Sequence, residues 1–311
     1  MSVGECSSMR VCIILVLIVV AVPIMNKSVL LNPGNPRRWW LPGPPPPRRL
    51  VSLKAVEESY RRDGTRELAI PVRSITVTSR ETYISALAPY ISSINSAISG
   101  AKASESAEPI YLFHGCGNFI TDEVAHSFSR WGPSIRFSRT GSYFSAGPAV
   151  YWSTSVEFAV AWSFFAETGT WDMDVFNRST PQQPFQCLVF VSKVSLETMN
   201  SGEGLYLIPN PQTPLEEEEL EEWCKGNTNP KRMGKPSSLA PPPKSQRKNW
   251  GVIGSRIPRS TMHAFRTVYE VTEKIWLFAA CNETSSRAIA MAGVEILKIT
   301  FNPAAKTRSH I

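Results

Sequence analysis

A histidine, a glycine, a tyrosine and a glutamate stand in this chain at places where each could take part in one reaction. His114 and Gly115 follow the apolar run Ile110-Tyr111-Leu112-Phe113, so a short buried strand hands over to an imidazole and then to a residue without a side chain. Tyr151 follows Ala149 and Val150 on a second apolar stretch, 37 positions after His114. Two glutamates, Glu270 and Glu273, lie in the strand-like stretch 268–278. A glycine lets a ligand approach its backbone N–H and C=O, because no Cβ holds it away. A tyrosine ring can stack on a flat heterocycle, and an imidazole can donate a hydrogen bond. A carboxylate favours a transition state that develops positive charge. Of the two glutamates, Glu273 is favoured because Ile275 to Ala280 continue a buried strand behind it. Plainer readings stand beside these: His114 as a structural histidine, Tyr151 as core beside Trp152, and Glu273 with Lys274 as a solvated pair on a strand edge.

The neighbouring sequence supplies elements to hold them. Residues 155–167 predict a helix that is apolar almost all round, with Ser155 as its N-cap. Residues 81–98 place Ile84, Leu87, Ile91, Ile94 and Ile98 at helical spacing, with Pro89 as a kink. Ile120, Val124 and Phe128 recur at four-residue steps and predict another helix. Strands are expected near 134–137, 149–152, 186–194, 204–208, 252–257, 268–278 and 294–301, with a short helix near 285–291. The strand at 186–194 is apolar in both of its alternating sets, so it should be buried on both faces. Many short strands, few helices and no regular alternation predict an α+β domain of two packed, mainly antiparallel sheets with flanking helices and a cleft between them.

The phrases His114-Gly115 and Gly147-Pro148-Ala149-Val150-Tyr151-Trp152 resemble the first two elements of an ADP-ribosyltransferase site of the poly(ADP-ribose) polymerase type. In that family a strand carries His-Gly, a later phrase of the form Gly-x-Gly-x-Tyr-Phe leads into a helix, and a glutamate follows on a later strand. Ala149 departs from the phrase, standing where the second glycine usually is. The resemblance covers roughly residues 108 to 301. It implies an ADP-ribosyltransferase-like fold and NAD as substrate. NAD would be cleaved between nicotinamide and ribose, through an oxocarbenium-like transition state, and the ADP-ribose passed to an unknown acceptor, a protein above all, or to water. Gly115 would then grip the nicotinamide carboxamide, His114 would donate near the adenosine ribose, Tyr151 would stack on nicotinamide, and Glu273 would accept from the nicotinamide ribose. The Ser153-Thr154-Ser155 triplet also resembles a motif of arginine-specific ADP-ribosyltransferases. Those carry an arginine where this chain has His114 and a Glu-x-Glu pair where it has Glu270-Val-Thr-Glu273, which argues against that subclass. A rival from another class is a non-catalytic binding module on the same fold, tethered to a membrane.

The 311 residues are 42% hydrophobic, enough for a sizeable core, and carry a net charge of +7. No strand interleaves aromatic and basic residues, which argues against nucleic acid as partner. Four histidines without paired ligand spacing argue against a metal. The six cysteines show no Cys-x-x-Cys; Cys116, Cys187, Cys224 and Cys281 could form two disulfides, but nothing requires it. Residues 11–25 form an apolar run, shorter than the roughly 20 residues of a spanning helix and close to a signal-peptide core. Basic residues follow it and tend to stay on the cytosolic side, so the run reads as a membrane anchor ahead of a cleaved secretory signal. If it is neither, the chain is cytosolic. Segments 1–25 and 26–66 are therefore assigned as anchor or signal and as a Pro/Arg-rich linker, a plain spacer. The domain spans 67–301, with 302–311 as a basic tail. Within it, 209–248 is expected to be a disordered insertion, because its acidic run and proline-rich piece bury little apolar surface.

Overall fold

The computed structural model describes residues 53–91, 108–117, 121–138, 143–168, 181, 184–228, 237–242, 250–257 and 275–303. The described strands are β1 (Val72–Val77), β2 (Pro109–Gly117), β3 (Val150–Ser153), β4 (Phe185–Ser195), β5 (Leu205–Leu207), β6 (Val252–Arg256), β7 (Trp276–Ala280) and β8 (Gly293–Phe301). They join in one sheet of order β1-β8-β4-β2-β3-β7-β6-β5. The outer pairs β1·β8 and β5·β6 are parallel and the inner pairs antiparallel. The fold is thus mixed α and β, as expected, but its strands form a single mixed sheet where two packed sheets were expected. The physical reason is visible in the burial: both faces of the central strands are covered by helices, so a second sheet is not needed to close the core. The sheet nevertheless has a weak line. Its halves, β1-β8-β4-β2 and β3-β7-β6-β5, meet at the register pair Phe113↔Ser153 alone.

Among the described residues seven α-helices accompany the sheet: α1 (Leu53–Arg62), α2 (Arg80–Ile91), α3 (Thr121–Trp131), α4 (Val156–Thr168), α5 (Leu196–Ser201), α6 (Pro214–Thr228) and α7 (Glu283–Met291). Strand alternation sends Phe113, Val189, Leu297 and Ile299 into one core under α2 and α4, and Leu112, Trp152, Phe190, Phe278 and Ile296 into the opposite core under α3, α5 and α7. A third cluster lies on the α4 side of the sheet, where Leu220 and Cys224 of α6 cover Phe144, Ala149, Ile253 and Ala279. Gly132, at φ 74, ends α3; a Cβ there would meet that of Ala290 at 2.5 Å.

Several expectations change. The chain is folded from Leu53, earlier than Glu67, because Val56 and Tyr60 of α1 pack on Trp131. In α2 the buried face is Tyr83, Leu87 and Tyr90, while Ile84 is 45% exposed; residues 92–100 lie outside the described set. The strand expected at 134–137 is a single 3₁₀ turn, since the Ser134 hydroxyl accepts from the Arg136 N–H at 3.2 Å and bends the chain. The insertion 209–248 is not structureless, because α6 folds within it. Cys116, Cys187, Cys224 and Cys281 are free thiols. Among the described residues no helix is long and apolar enough to cross a membrane, and the run 11–25 lies outside them.

Candidate functional site

The site forms where β2 and β3 part. Both strands run past the residues expected at their ends, so His114, Gly115 and Tyr151 lie within strands at the middle of the sheet. After the pair Phe113↔Ser153 the link between the strands passes to a side chain: His114 Nδ1 lies 2.8 Å from the backbone oxygen of Tyr151. A carbonyl can only accept, so Nδ1 carries the proton, and in the neutral ring Nε2 is the acceptor nitrogen. The imidazole is held against aromatic neighbours, with ring centroids 5.6 Å from Trp152 and 5.8 Å from Phe128.

Gly115 points to the other face. A Cβ there would lie 2.0 Å from the backbone oxygen of Ala159 and 2.5 Å from the Ser163 hydroxyl, so α4 rests directly on the bare backbone. This close approach of helix to strand is enough to require glycine, whatever ligand also uses its peptide groups. Below it, α4 starts as expected, with the Ser155 hydroxyl accepting from the Phe158 N–H at 3.2 Å.

Tyr151 shares the face of Gly115. Its ring packs beside Phe144, centroids 5.9 Å apart, and its phenol oxygen accepts from the Phe144 N–H at 2.6 Å. The structure therefore brings the imidazole to the Tyr151 backbone but not to the Tyr151 phenol, for the two rings leave the sheet on opposite faces. The register explains this: Phe113 opposite Ser153 puts Trp152 on the side of His114 and Tyr151 on the side of Gly115. His114, Gly115 and Tyr151 were expected together in one cleft; the strands bring their backbones together, but the imidazole and the phenol lie on opposite faces of the sheet.

Glu270 and Glu273 fall in 258–274, outside the described residues. The described chain resumes at Ile275, whose oxygen accepts from the Ile257 N–H at 3.1 Å. The next residue is pinned by a side chain that the sequence reading did not assign. The Thr154 hydroxyl accepts from the Trp276 N–H at 3.0 Å, and the Thr154 N–H donates to the Trp276 oxygen at 3.0 Å. Thr154 thus carries the β3·β7 ladder one residue beyond Ser153↔Leu277. Its neighbour Ser153 accepts from the Ser155 N–H at 3.0 Å, which turns the chain into α4. The only hint in the sequence was the Ser153-Thr154-Ser155 triplet itself.

Two thiols flank the tyrosine side. Burial pushes Cys281 up to about 11, against a smaller opposing hydrogen bond with Ser145. Burial, and then the charge of Glu221, raises Cys224 well above the usual thiol range. Both shifts disfavour the thiolate. Among the described residues no group of three His, Cys, Asp or Glu side chains is placed to hold a metal ion. No family model, no curated protein and no solved structure matches this chain.

Proposed function

We propose that this chain cleaves NAD between nicotinamide and ribose and passes ADP-ribose to an acceptor, a protein side chain or water, on an ADP-ribosyltransferase-like fold. The observation that carries the reading is the bond from His114 Nδ1 to the Tyr151 oxygen, set on the line where two four-stranded halves of the sheet meet at one register pair. It couples the His-Gly strand to the tyrosine strand across that line. In the reaction the C–N glycosidic bond breaks, its electron pair stays with the departing nicotinamide, and the ribosyl cation is captured by the acceptor's lone pair as the acceptor releases its proton to solvent. Nδ1 of His114 already donates to the Tyr151 oxygen, so His114 acts near the adenosine ribose through its other ring nitrogen, Nε2. Gly115 holds the carboxamide through its peptide groups, Tyr151 stacks on nicotinamide, and Glu273, ahead of Glu270, favours the cation. The apolar run 11–25 tethers the domain to a membrane.

A second reading is a binding module on the same fold without catalysis. It is favoured by the engagement of the Tyr151 phenol with Phe144 and by the separation of phenol and imidazole across the sheet. Incubating the full chain with NAD labelled in its adenylate separates the readings. Label on protein or in free ADP-ribose supports turnover. Calorimetric binding of NAD without product supports the module, and no binding removes NAD from the account.

A further inference from the structure

Strand β1 lies at one edge of the sheet and pairs with β8 along one side only. The paired side is marked at both ends of the strand. The Pro71 oxygen accepts from the Ile296 N–H at 2.8 Å, and the Val77 oxygen from the Asn302 N–H at 2.9 Å. Successive residues of a strand turn their backbone groups to opposite edges, so Arg73, Ile75 and Val77 face β8 while Val72, Ser74 and Thr76 face outward. The outward row is closed at each end. The Ile70 N–H donates to the Ser129 oxygen at 2.9 Å, and the Thr78 N–H to the Thr82 hydroxyl at 3.2 Å. Between them Val72, Ser74 and Thr76 are exposed, and among the described residues no group takes their outward N–H and C=O. Lysine, proline or a bulge commonly guards such an edge, and the strand Val-Arg-Ser-Ile-Thr-Val has none of them. Its charged residue, Arg73, is engaged by Glu295 and by the Tyr90 phenol of α2 instead.

We infer that β1 docks the β1 of a second copy of this chain, the two strands pairing antiparallel about a two-fold axis at Ser74. In that register Ser74 opposes its own mate, Val72 opposes Thr76 and Arg73 opposes Ile75, so every outward-facing residue of both strands exchanges its backbone bonds. The neighbouring registers are poorer. Centring on Arg73 sets like charges opposite each other, and centring on Ile75 puts Val72 against Thr78, whose N–H is already taken. The axis stands perpendicular to the sheet, so the two copies of α2 come to the same face. Tyr83 and Leu87 hold α2 on its own core, whereas Ile84, on the helix flank opposite Ala86, is exposed and available to its mate. Two short strands alone make a small contact, which the paired helices enlarge. The inference is independent of the NAD reading.

Charge exchange at Ser74 tests the two-fold axis directly. Sedimentation of the purified full chain in density-matched detergent shows a monomer–dimer equilibrium between about 1 and 100 μM, the range of a small strand-to-strand interface. Ser74→Lys alone, or Ser74→Glu alone, brings like charges together across the axis and raises the dimer dissociation constant about ten-fold or more. An equimolar mixture of the two variants restores dimers. Ser74→Pro removes an outward N–H and no bond to β8, so it gives monomers as well. In the unmodified chain, amide exchange across 72–77 slows as concentration rises through the transition. A wild-type chain that stays monomeric, dimers indifferent to these substitutions, or a mixture that stays monomeric overturns the inference. Protection of 72–77 that does not depend on concentration assigns the edge to another segment of the same chain and overturns it too.

Discussion

His114 Nδ1 and the backbone oxygen of Tyr151 lie 2.8 Å apart across the line where β2 and β3 separate. The bond asks residue 114 for a donor at the δ position, and the proposed reaction asks for the second ring nitrogen beyond it. Asparagine supplies the first and not the second. His114→Asn therefore retains most of the stability, whereas His114→Phe loses about 1–2 kcal/mol through an unsatisfied, part-buried carbonyl. Both variants lose Nε2, so both fall in NAD turnover. Urea unfolding paired with a turnover assay checks the split.

Gly115→Ala places a Cβ on the backbone oxygen of Ala159, where no side chain can give way. The substitution costs about 3 kcal/mol. The double variant Gly115→Ala with Ser163→Ala is not rescued, because the closer contact is main chain. Chemical denaturation of both proteins decides it; a recovery on removing the Ser163 hydroxyl would place the clash elsewhere.

Thr154→Val removes the acceptor of the Trp276 N–H in a fully buried setting. A loss of about 1–3 kcal/mol follows, together with faster exchange of the Trp276 amide. Thr154→Ser restores the oxygen and recovers most of both. Equal behaviour of the two variants would show that the hydroxyl is not what pins β7.

Burial, and then a hydrogen bond donated to Glu295, push the Tyr90 phenol up to about 12. Arg73 Nε donates to the same carboxylate at 2.6 Å. Because the folded value lies above the unfolded value near 10, the neutral phenol stabilises the fold fully below pH 10. That contribution fades as pH climbs from 10 through 12. Across this window the unfolding midpoint falls further with rising pH for the wild-type chain than for Tyr90→Phe, which has no phenol to ionise.

Much of the framework was legible because its signals are local. The strands around Phe113 and Val191 are apolar runs, and Ser155 announces α4 as an N-cap does. What escaped depended on partners. The edge strand β1 has three of its six residues exposed in a row, so its apolar pattern is faint until β8 pairs with it. Ile135 and Phe137 alternate like a strand, but the hydroxyl of Ser134 wins the local competition for the Arg136 N–H. In α6 the glutamates masked the two residues that matter, although Thr213 and Glu216 already spelled a helix start. Which ring faces which side of the sheet was beyond the sequence, since a one-residue change of register between β2 and β3 exchanges the faces.

The proposed activity is tested most directly by nicotinamide release. The purified full chain is incubated with NAD, and free nicotinamide is followed against His114→Ala and Glu273→Gln at matched folded concentration. The account predicts release by the wild-type chain and a fall of about 100-fold or more in the Glu273→Gln variant, because the carboxylate that favours the cation is gone. The His114→Ala chain falls as well. Wild-type release no faster than that of the two variants combined in one chain would contradict it.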